Sequence, residues 1–167
     1  MASTAFKGYP IELSGNLPTK GSKAPGFLLT SIHLNDFELE KYAGKKLLIF
    51  TFLSVDSEKC NESVKMFNHL AKNLQKAAIL CVSRDLPNTQ YRFCETEDIR
   101  HIDLASDLRP ESSFGEDYGV VMMGGPYAGA LAQSTLVLNE KHEVIYSELV
   151  ADFLNTPNFE AAMALLA

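Results

Sequence analysis

Residues 47 to 75 constrain the fold more than any other stretch of the chain. The run Leu47-Leu48-Ile49-Phe50-Thr51-Phe52-Leu53 is short, mixes β-branched and aromatic side chains, and lacks polar alternation. That is the pattern of a strand covered on both faces. Asp56 or Ser57 then offers a side-chain oxygen for the orphan N–H groups of a helix start, and Val64, Phe67, Leu70, Ala71 and Leu74 recur at helical spacing through Gln75. Cys60 falls in the first turn of this helix. There the positive end of the helix dipole, the free first-turn N–H groups and Lys59 favour the thiolate, which is the nucleophilic form. The competing reading is a small buried hydrophobe, the usual fate of a free cysteine.

The segments on either side define the class. Ala77-Ala78-Ile79-Leu80-Cys81-Val82-Ser83 is a second apolar strand, so strand, helix and strand form a parallel βαβ unit with a right-handed crossover. Upstream, alternation around Gly8-Tyr9-Pro10 within residues 5 to 14 predicts a short β-hairpin. Gly15, Pro18, Gly21, Pro25 and Gly26 then mark a loop before a strand at Phe27 to Thr30, and Asp36 to Tyr42 reads as a short strand and a turn. Downstream, Pro87 favours a first helical turn, and a helix over about 88 to 96 would carry Cys94. A short strand at His101 to Ala105 and a helical turn near Phe114 to Tyr118 follow. Residues 134–138 and 143–147 flank Asn139-Glu140-Lys141-His142 as a hairpin, and Thr156-Pro157 opens a last helix with Phe159, Ala162, Met163 and Leu166 on its apolar face. The expectation is an α/β sandwich over residues 1–167, without a boundary between domains.

Charge and composition exclude several classes of function. Fifteen basic against twenty-one acidic residues give a formal charge of −6 with no basic block, which argues against nucleic acid as a partner. The segment Met1 to Lys7 lacks an apolar signal core and no run approaches a membrane span, so the expected location is the cytoplasm. His33, His69, His101 and His142 are scattered, with none of the tight Cys/His spacing that zinc requires, and no metal site is expected. Gly124-Gly125 lacks the frame of a phosphate-cradling loop and reads as a turn. Ser54 and Ser57 lie outside a GxSxG elbow, and capping is the better account of Ser57.

Three cysteines are too few for a disulfide scaffold and none forms a C-x-x-C pair. Cys81 lies inside an apolar run and reads as packed and inert. Joining Cys60 to Cys94 would close a loop worth about 4 kcal/mol of unfolded-state entropy. The acids Glu95, Glu97 and Asp98 should raise the Cys94 pKa above that of Cys60, which suits Cys60 as attacker and Cys94 as resolver. The competing reading of Cys94, an ordinary helix-face residue, stands slightly ahead on these residues alone.

Several segments together resemble the bacterial thiol peroxidases, the atypical two-cysteine peroxiredoxins. They are Gly8 to Leu17, Asp56 to Cys60, Asp85-Leu86-Pro87, Arg92-Phe93-Cys94, Phe114 to Gly119 and Val144 to Val150, in the family's order over nearly the whole chain. The resemblance implies a thioredoxin-like fold of peroxiredoxin type with an added N-terminal β-hairpin, usually as a homodimer. It implies that Cys60 attacks the peroxide O–O bond, becomes a sulfenic acid and is captured by Cys94 of the same chain, the disulfide being reduced by thioredoxin. No bound cofactor or metal is implied, and the substrates would be hydrogen peroxide and alkyl hydroperoxides.

Two positions depart from the family's pattern, Pro-x-x-x-Thr-x-x-Cys plus an arginine from a later strand. The threonine position is Ser57, which keeps the hydroxyl. The proline position is Leu53, and the arginine position is Gln133, which donates a hydrogen bond but carries no charge. The substrate pocket is thus expected to be formed by Leu53 and Gln133 beside Ser57, with a higher Cys60 pKa than the full set gives. Lys59 and Arg92, or Arg84 just after the second strand, are the cations that could partly compensate. These departures also motivate an alternative: a redox sensor or binding protein of the same fold that oxidises reversibly but turns over poorly.

Overall fold

The computed structural model describes residues 2–167. At the N-terminus, β1 (Ser3–Phe6) pairs antiparallel with β2 (Tyr9–Glu12), Phe6 opposite Tyr9. The turn is thus the two residues Lys7 and Gly8, with φ of 50° and 85°, the backbone that closes a tight hairpin with the right twist. Tyr9 and Pro10 stand inside the second strand rather than in the turn.

The main sheet has seven strands: β3 (Leu28–Ser31), β4 (Asp36–Glu38), β5 (Lys46–Thr51), β6 (Ala77–Ser83), β7 (Asp103–Ser106), β8 (Ser134–Leu138) and β9 (Val144–Leu149). Their spatial order is β4-β3-β7-β6-β5-β8-β9. The pairs β5–β6 and β6–β7 are parallel and all others antiparallel. The expected βαβ unit is present, with α1 (Glu58–Leu70) joining β5 to β6. A second crossover, through α2 (Pro87–Thr96), joins β6 to β7. The C-terminal hairpin is also present, its second strand running on to Leu149 past a bulge at Val137/Leu138.

Apolar side chains on the two faces of the sheet form separate layers. On one face Leu48, Phe50, Phe52 and Val137 meet Cys60, Val64 and Phe67 of α1, Phe93 and Cys94 of α2, and Ala162 of α4 (Phe159–Ala164). On the other, Leu47, Ile49 and Leu136 meet Phe27, Tyr42 and the pair Phe114 and Tyr118 at α3 (Phe114–Asp117). Those two rings stack with centroids 4.4 Å apart, and the Tyr118 hydroxyl donates to the Pro25 carbonyl at 2.7 Å. The N-terminal hairpin packs Ile11 and Leu13 against Met122, Ala132 and Phe153.

Three boundaries differ from expectation, each for a local reason. The central strand stops at Thr51; Phe52 still donates its N–H to the Val82 carbonyl at 3.0 Å, and the chain then leaves the ladder. Helix α1 ends at Leu70 and tightens into a 3-10 turn over Ala71–Asn73, which turns Leu74 into the apolar layer ahead of β6. The last helix starts at Phe159 because Asn158 is a better cap than Thr156-Pro157: its side chain accepts from the Ala161 N–H at 3.1 Å.

Gly119 closes the turn after α3. It has a φ of +69°, and a Cβ there would lie 2.3 Å from the Asn16 carbonyl oxygen. Gly119→Ala is expected to lose at least about 2 kcal/mol of stability, read as a lower denaturant midpoint at unchanged slope.

Candidate active site

The chain leaves β5 at Phe52, crosses residues 53–57 and enters α1, and Cys60 is the third residue of that helix. The carboxylate of Asp85 clamps the crossing. It accepts from Ser54 Oγ at 2.7 Å, from the Val55 N–H at 3.0 Å and from Ser83 Oγ at 2.7 Å. Asn61 Nδ2 donates to the Val55 carbonyl at 3.0 Å from the helix side. Asp85 was visible in the sequence only within the Asp85-Leu86-Pro87 segment of the family resemblance. Its role as a clamp depends on β5 and β6 lying side by side, and the Ser83 and Ser54 hydroxyls that converge on it are 29 residues apart.

Cys60 is fully buried. Burial pushes its thiol above the ordinary value of 9.0, and the nearby Asp85 charge adds to the rise; the backbone N–H groups of Leu53 and Ser54 and the Ser57 hydroxyl oppose it by hydrogen-bonding the sulfur. Ser57 stands at the N-cap position with extended backbone, yet its hydroxyl makes no cap bond. Capping is therefore not the account of Ser57, whose hydroxyl counts instead among the groups that favour the Cys60 anion. Lys59 pairs with Glu62 at the surface, at 3.5 Å. Arg84 is a strut, bonding Asp107, Glu116 and the Gly129 carbonyl. Arg92 lines the cleft of about 330 Å³ between the start of α1 and α2, with Val55, Asn61 and Phe93.

Cys94 shares the apolar layer with Cys60, and all three cysteines are free thiols. It lines a different cavity, of about 400 Å³, with Ile32, His33, Ile102 and Leu104. Its thiol is pushed up to about 11, chiefly by burial; Arg100 opposes the rise, while Glu95 and Asp103 add to it. The direction matches the sequence reading but the main cause does not. Glu97 pairs with Lys65, and Asp98 with Arg100. Cys81 is fully buried and its thiol is raised well above the ordinary value by desolvation, as an inert packed cysteine should be.

Gln133 immediately precedes β8, next to the end of β5, and is 2% exposed. Its Nε2 donates to the Asn155 carbonyl at 3.4 Å, and its buried Oε1 has no hydrogen-bond partner. Leu53 is partly buried and packs against both the α1 layer and the N-terminal hairpin's cluster.

Comparison with known proteins places this arrangement. Residues 19–163 match the Redoxin family model. The chain is 39% identical to a thiol peroxidase of Corynebacterium glutamicum and 42% identical to one of Mycobacterium bovis, each over 166 residues and 99% of both chains. It is a thiol peroxidase of the redoxin family. A peroxiredoxin-like protein of Aquifex aeolicus superposes with a TM-score of 0.93 over 99% of this chain and 96% of its own, at 28% identity. A thiol peroxidase of Chromobacterium violaceum gives 0.90 over 98% and 94%, at 24% identity. The peroxiredoxin type of thioredoxin-like fold, with its N-terminal hairpin, is thus the fold of this chain, and its activity is that of a peroxiredoxin-type peroxidase. No helix among the described residues is long and apolar enough to cross a membrane.

Two outcomes follow for this peroxidase. Because Cys60 must ionise to react and its thiol is raised, alkylation of Cys60 by iodoacetamide is expected to keep accelerating as pH rises through 9.0, with no plateau near neutrality. Asp85→Asn removes the charge that opposes the thiolate but also an acceptor for three donors. It is expected to lower the alkylation midpoint of Cys60 while costing about 1–3 kcal/mol of stability in denaturant unfolding.

Proposed function

We propose that Cys60 is the peroxidatic cysteine, Cys94 the resolving cysteine, and thioredoxin the reductant. The observation that carries the reading is the placement of Cys60, a free thiol buried in the first turn of α1 beside the crossing that Asp85 clamps, with backbone and Ser57 donors that favour its anion. Donors without competing water suit an anion at that atom.

In the first step the Cys60 thiolate attacks one oxygen of a hydroperoxide. An S–O bond forms, the O–O bond breaks, sulfur is oxidised by two electrons, and the leaving oxygen takes a proton to depart as water or an alcohol. Cys60 is then a sulfenic acid. Ser57 orients the peroxide by its hydroxyl, and Leu53 and Gln133 form the remaining wall. The Cys94 thiolate next attacks the sulfenic sulfur, an S–S bond forms, and hydroxide leaves as water. Thioredoxin's dithiol reduces the disulfide by exchange through a mixed disulfide, ending oxidised itself. Hydrogen peroxide and alkyl hydroperoxides are the substrates, and no bound cofactor or metal takes part.

The second step requires movement, since Phe93 rather than Cys94 lines the cleft facing α1. Helix α2 offers a place for it. It ends with Asp98 at φ 53° and with the Ile99 N–H bonded to the Cys94 carbonyl at 2.9 Å, so Cys94 belongs to the closing turn. Opening that one turn frees the cysteine without disturbing the sheet. The family resemblance further supports a single domain over residues 1–167, a homodimer and a cytoplasmic location.

A slower redox sensor is favoured by one observation: the arginine position holds an uncharged Gln133 whose donor is spent on Asn155. Peroxide consumption with thioredoxin and thioredoxin reductase separates the two. The wild type is expected to turn over continuously and Cys60→Ser not at all, while Cys94→Ser consumes one equivalent and accumulates a dimedone-reactive sulfenic acid. Sustained turnover by Cys60→Ser overturns the assignment, and a wild-type rate no faster than that of an unactivated thiol selects the sensor. Gln133→Arg is expected to speed the Cys60 oxidation step by about threefold to tenfold in stopped-flow measurement, a guanidinium adding charge where an amide has none.

A further inference from the structure

Among the described residues four buried side-chain oxygens have no hydrogen-bond partner in the chain, and three of them lie along one seam beside Cys60: Ser63 Oγ, Gln133 Oε1 and Thr135 Oγ1. Strand alternation sets two of the three on one face of the sheet. Val137 belongs to the layer under α1, and Thr135, two residues before it, stands opposite Phe50 of the same layer. Gln133 continues that row to the end of β5. The helix supplies the third oxygen. Asn61 lines the cleft toward α2, and Ser63 lies about 200° further round α1. That is the side on which Phe67, one turn on, meets Phe159 of α4 with ring centroids 5.0 Å apart. Ser63 is also one turn from Cys60, about 5–6 Å between Cβ atoms. The segment before α4 roofs the seam, since the Asn155 carbonyl accepts from Gln133 Nε2 at 3.4 Å. A carbonyl only accepts, so the amide nitrogen belongs to Asn155 and the amide oxygen is left to the seam.

Buried polar atoms without partners are costly and few in native proteins, so three in one place call for a partner of their own. The set is one pure acceptor and two hydroxyls, each able to donate or accept. A single water matches it, donating to Gln133 Oε1 and to one hydroxyl and accepting from the other, about the three bonds that a buried water makes. We propose that the seam between α1 and β8 binds one water molecule on Ser63, Gln133 and Thr135, and that this water gives the departing oxygen its proton. When the Cys60 thiolate takes one oxygen of the hydroperoxide, the other leaves with the electron pair of the O–O bond. It takes a proton from the water, and the hydroxide so formed is held by the Ser63 and Thr135 hydroxyls until it regains a proton from solvent. Ser63, Gln133 and Thr135 are positioning residues in this step. The relay answers in part the charge that Gln133 does not carry.

The inference rests on Cys60 being the nucleophile, and its test compares two oxidants in a Cys94→Ser background. Peroxyacetic acid expels acetate, which departs without a proton, whereas tert-butyl hydroperoxide expels an alkoxide, which needs one. Single-turnover oxidation of Cys60 is followed by quenched flow with dimedone trapping. Thr135→Val, which keeps the shape but not the hydroxyl, and Ser63→Ala are each expected to slow oxidation by tert-butyl hydroperoxide about tenfold, and by peroxyacetic acid less than about twofold. Thr135→Ser, which restores a hydroxyl, is expected to recover most of the loss. Equal slowing with both oxidants, the result of a merely structural role, overturns the proposal, as does an undiminished rate with tert-butyl hydroperoxide in either variant. A crystal structure of the reduced protein is expected to show the water within hydrogen-bond distance of all three oxygens, and a dry seam there overturns the proposal. Failure of the Cys60 assignment itself would show instead as peroxide turnover by Cys60→Ser.

Discussion

The geometry of the site depends on one carboxylate. Asp85 sits just past the end of β6, and its two oxygens accept from Ser54, Val55 and Ser83. Its own carbonyl accepts from the Ser106 hydroxyl at the end of β7. Three parallel strands therefore end on one cluster of hydrogen bonds, at the carboxyl edge of the sheet where open α/β folds leave a crevice. Without the clamp the 53–57 crossing would keep the Asn61 bond to the Val55 carbonyl and its own turn but lose its polar tie to the end of β6, and the apolar contacts left there are not directional. The polar anchors fix the backbone of the crossing, and the cost is a negative charge close enough to the Cys60 thiol to raise it.

The site therefore balances burial against donors. Full burial of Cys60 disfavours the anion and excludes the water that would compete for its hydrogen bonds. The dry setting strengthens each donor that remains, because a hydrogen bond to a charged acceptor weakens as the surroundings become more polar. Cys94 differs in kind: it is also raised by burial, but its charged neighbours act in opposite directions and it lines an open cavity. The two thiols thus share a layer of the core, and Cys94 borders a cavity on its far side.

Most of the fold was legible in the sequence, because uninterrupted apolar runs and helical spacing report burial directly. The β5-α1-β6 unit, the N-terminal hairpin, the strand at residues 77–83 and the terminal hairpin all follow from that pattern. Boundaries were less legible where tertiary contacts decide them, as at the 3-10 turn after Leu70 or the cap at Asn158. At the site, residue types placed a thiol in a helix's first turn, where the structure has it, and marked Leu53 and Gln133 as departures from the family's pattern. The Ser57 hydroxyl was misjudged, since a cap and a sulfur ligand use the same atom and only the fold shows which partner is in reach. Arg84 was unreadable for a similar reason: it is charged, close in sequence to the site, and yet consumed by Asp107 and Glu116. Asp85 was present as a motif without a mechanism. A carboxylate's three partners are nonlocal, and no spacing rule exposes them.

The departures at Leu53 and Gln133 bear on rate less than their chemistry first suggests. A thiol whose pKa lies above the working pH loses thiolate tenfold for each unit of further rise. Its thiolate, however, becomes intrinsically more nucleophilic along a slope of about 0.4–0.5 per unit. The two effects partly cancel, so each added unit costs about threefold to fourfold in the attack step rather than tenfold. With Cys60 as the proposed nucleophile, an uncharged Gln133 at the arginine position then costs the attack step less than the loss of thiolate alone would. Positive charge beside a departing oxygen is a separate matter: Gln133 is an amide whose Nε2 bonds the Asn155 carbonyl. On the proposed assignment its penalty falls on the leaving group, and hydroperoxides whose alcohols are better leaving groups should suffer it least.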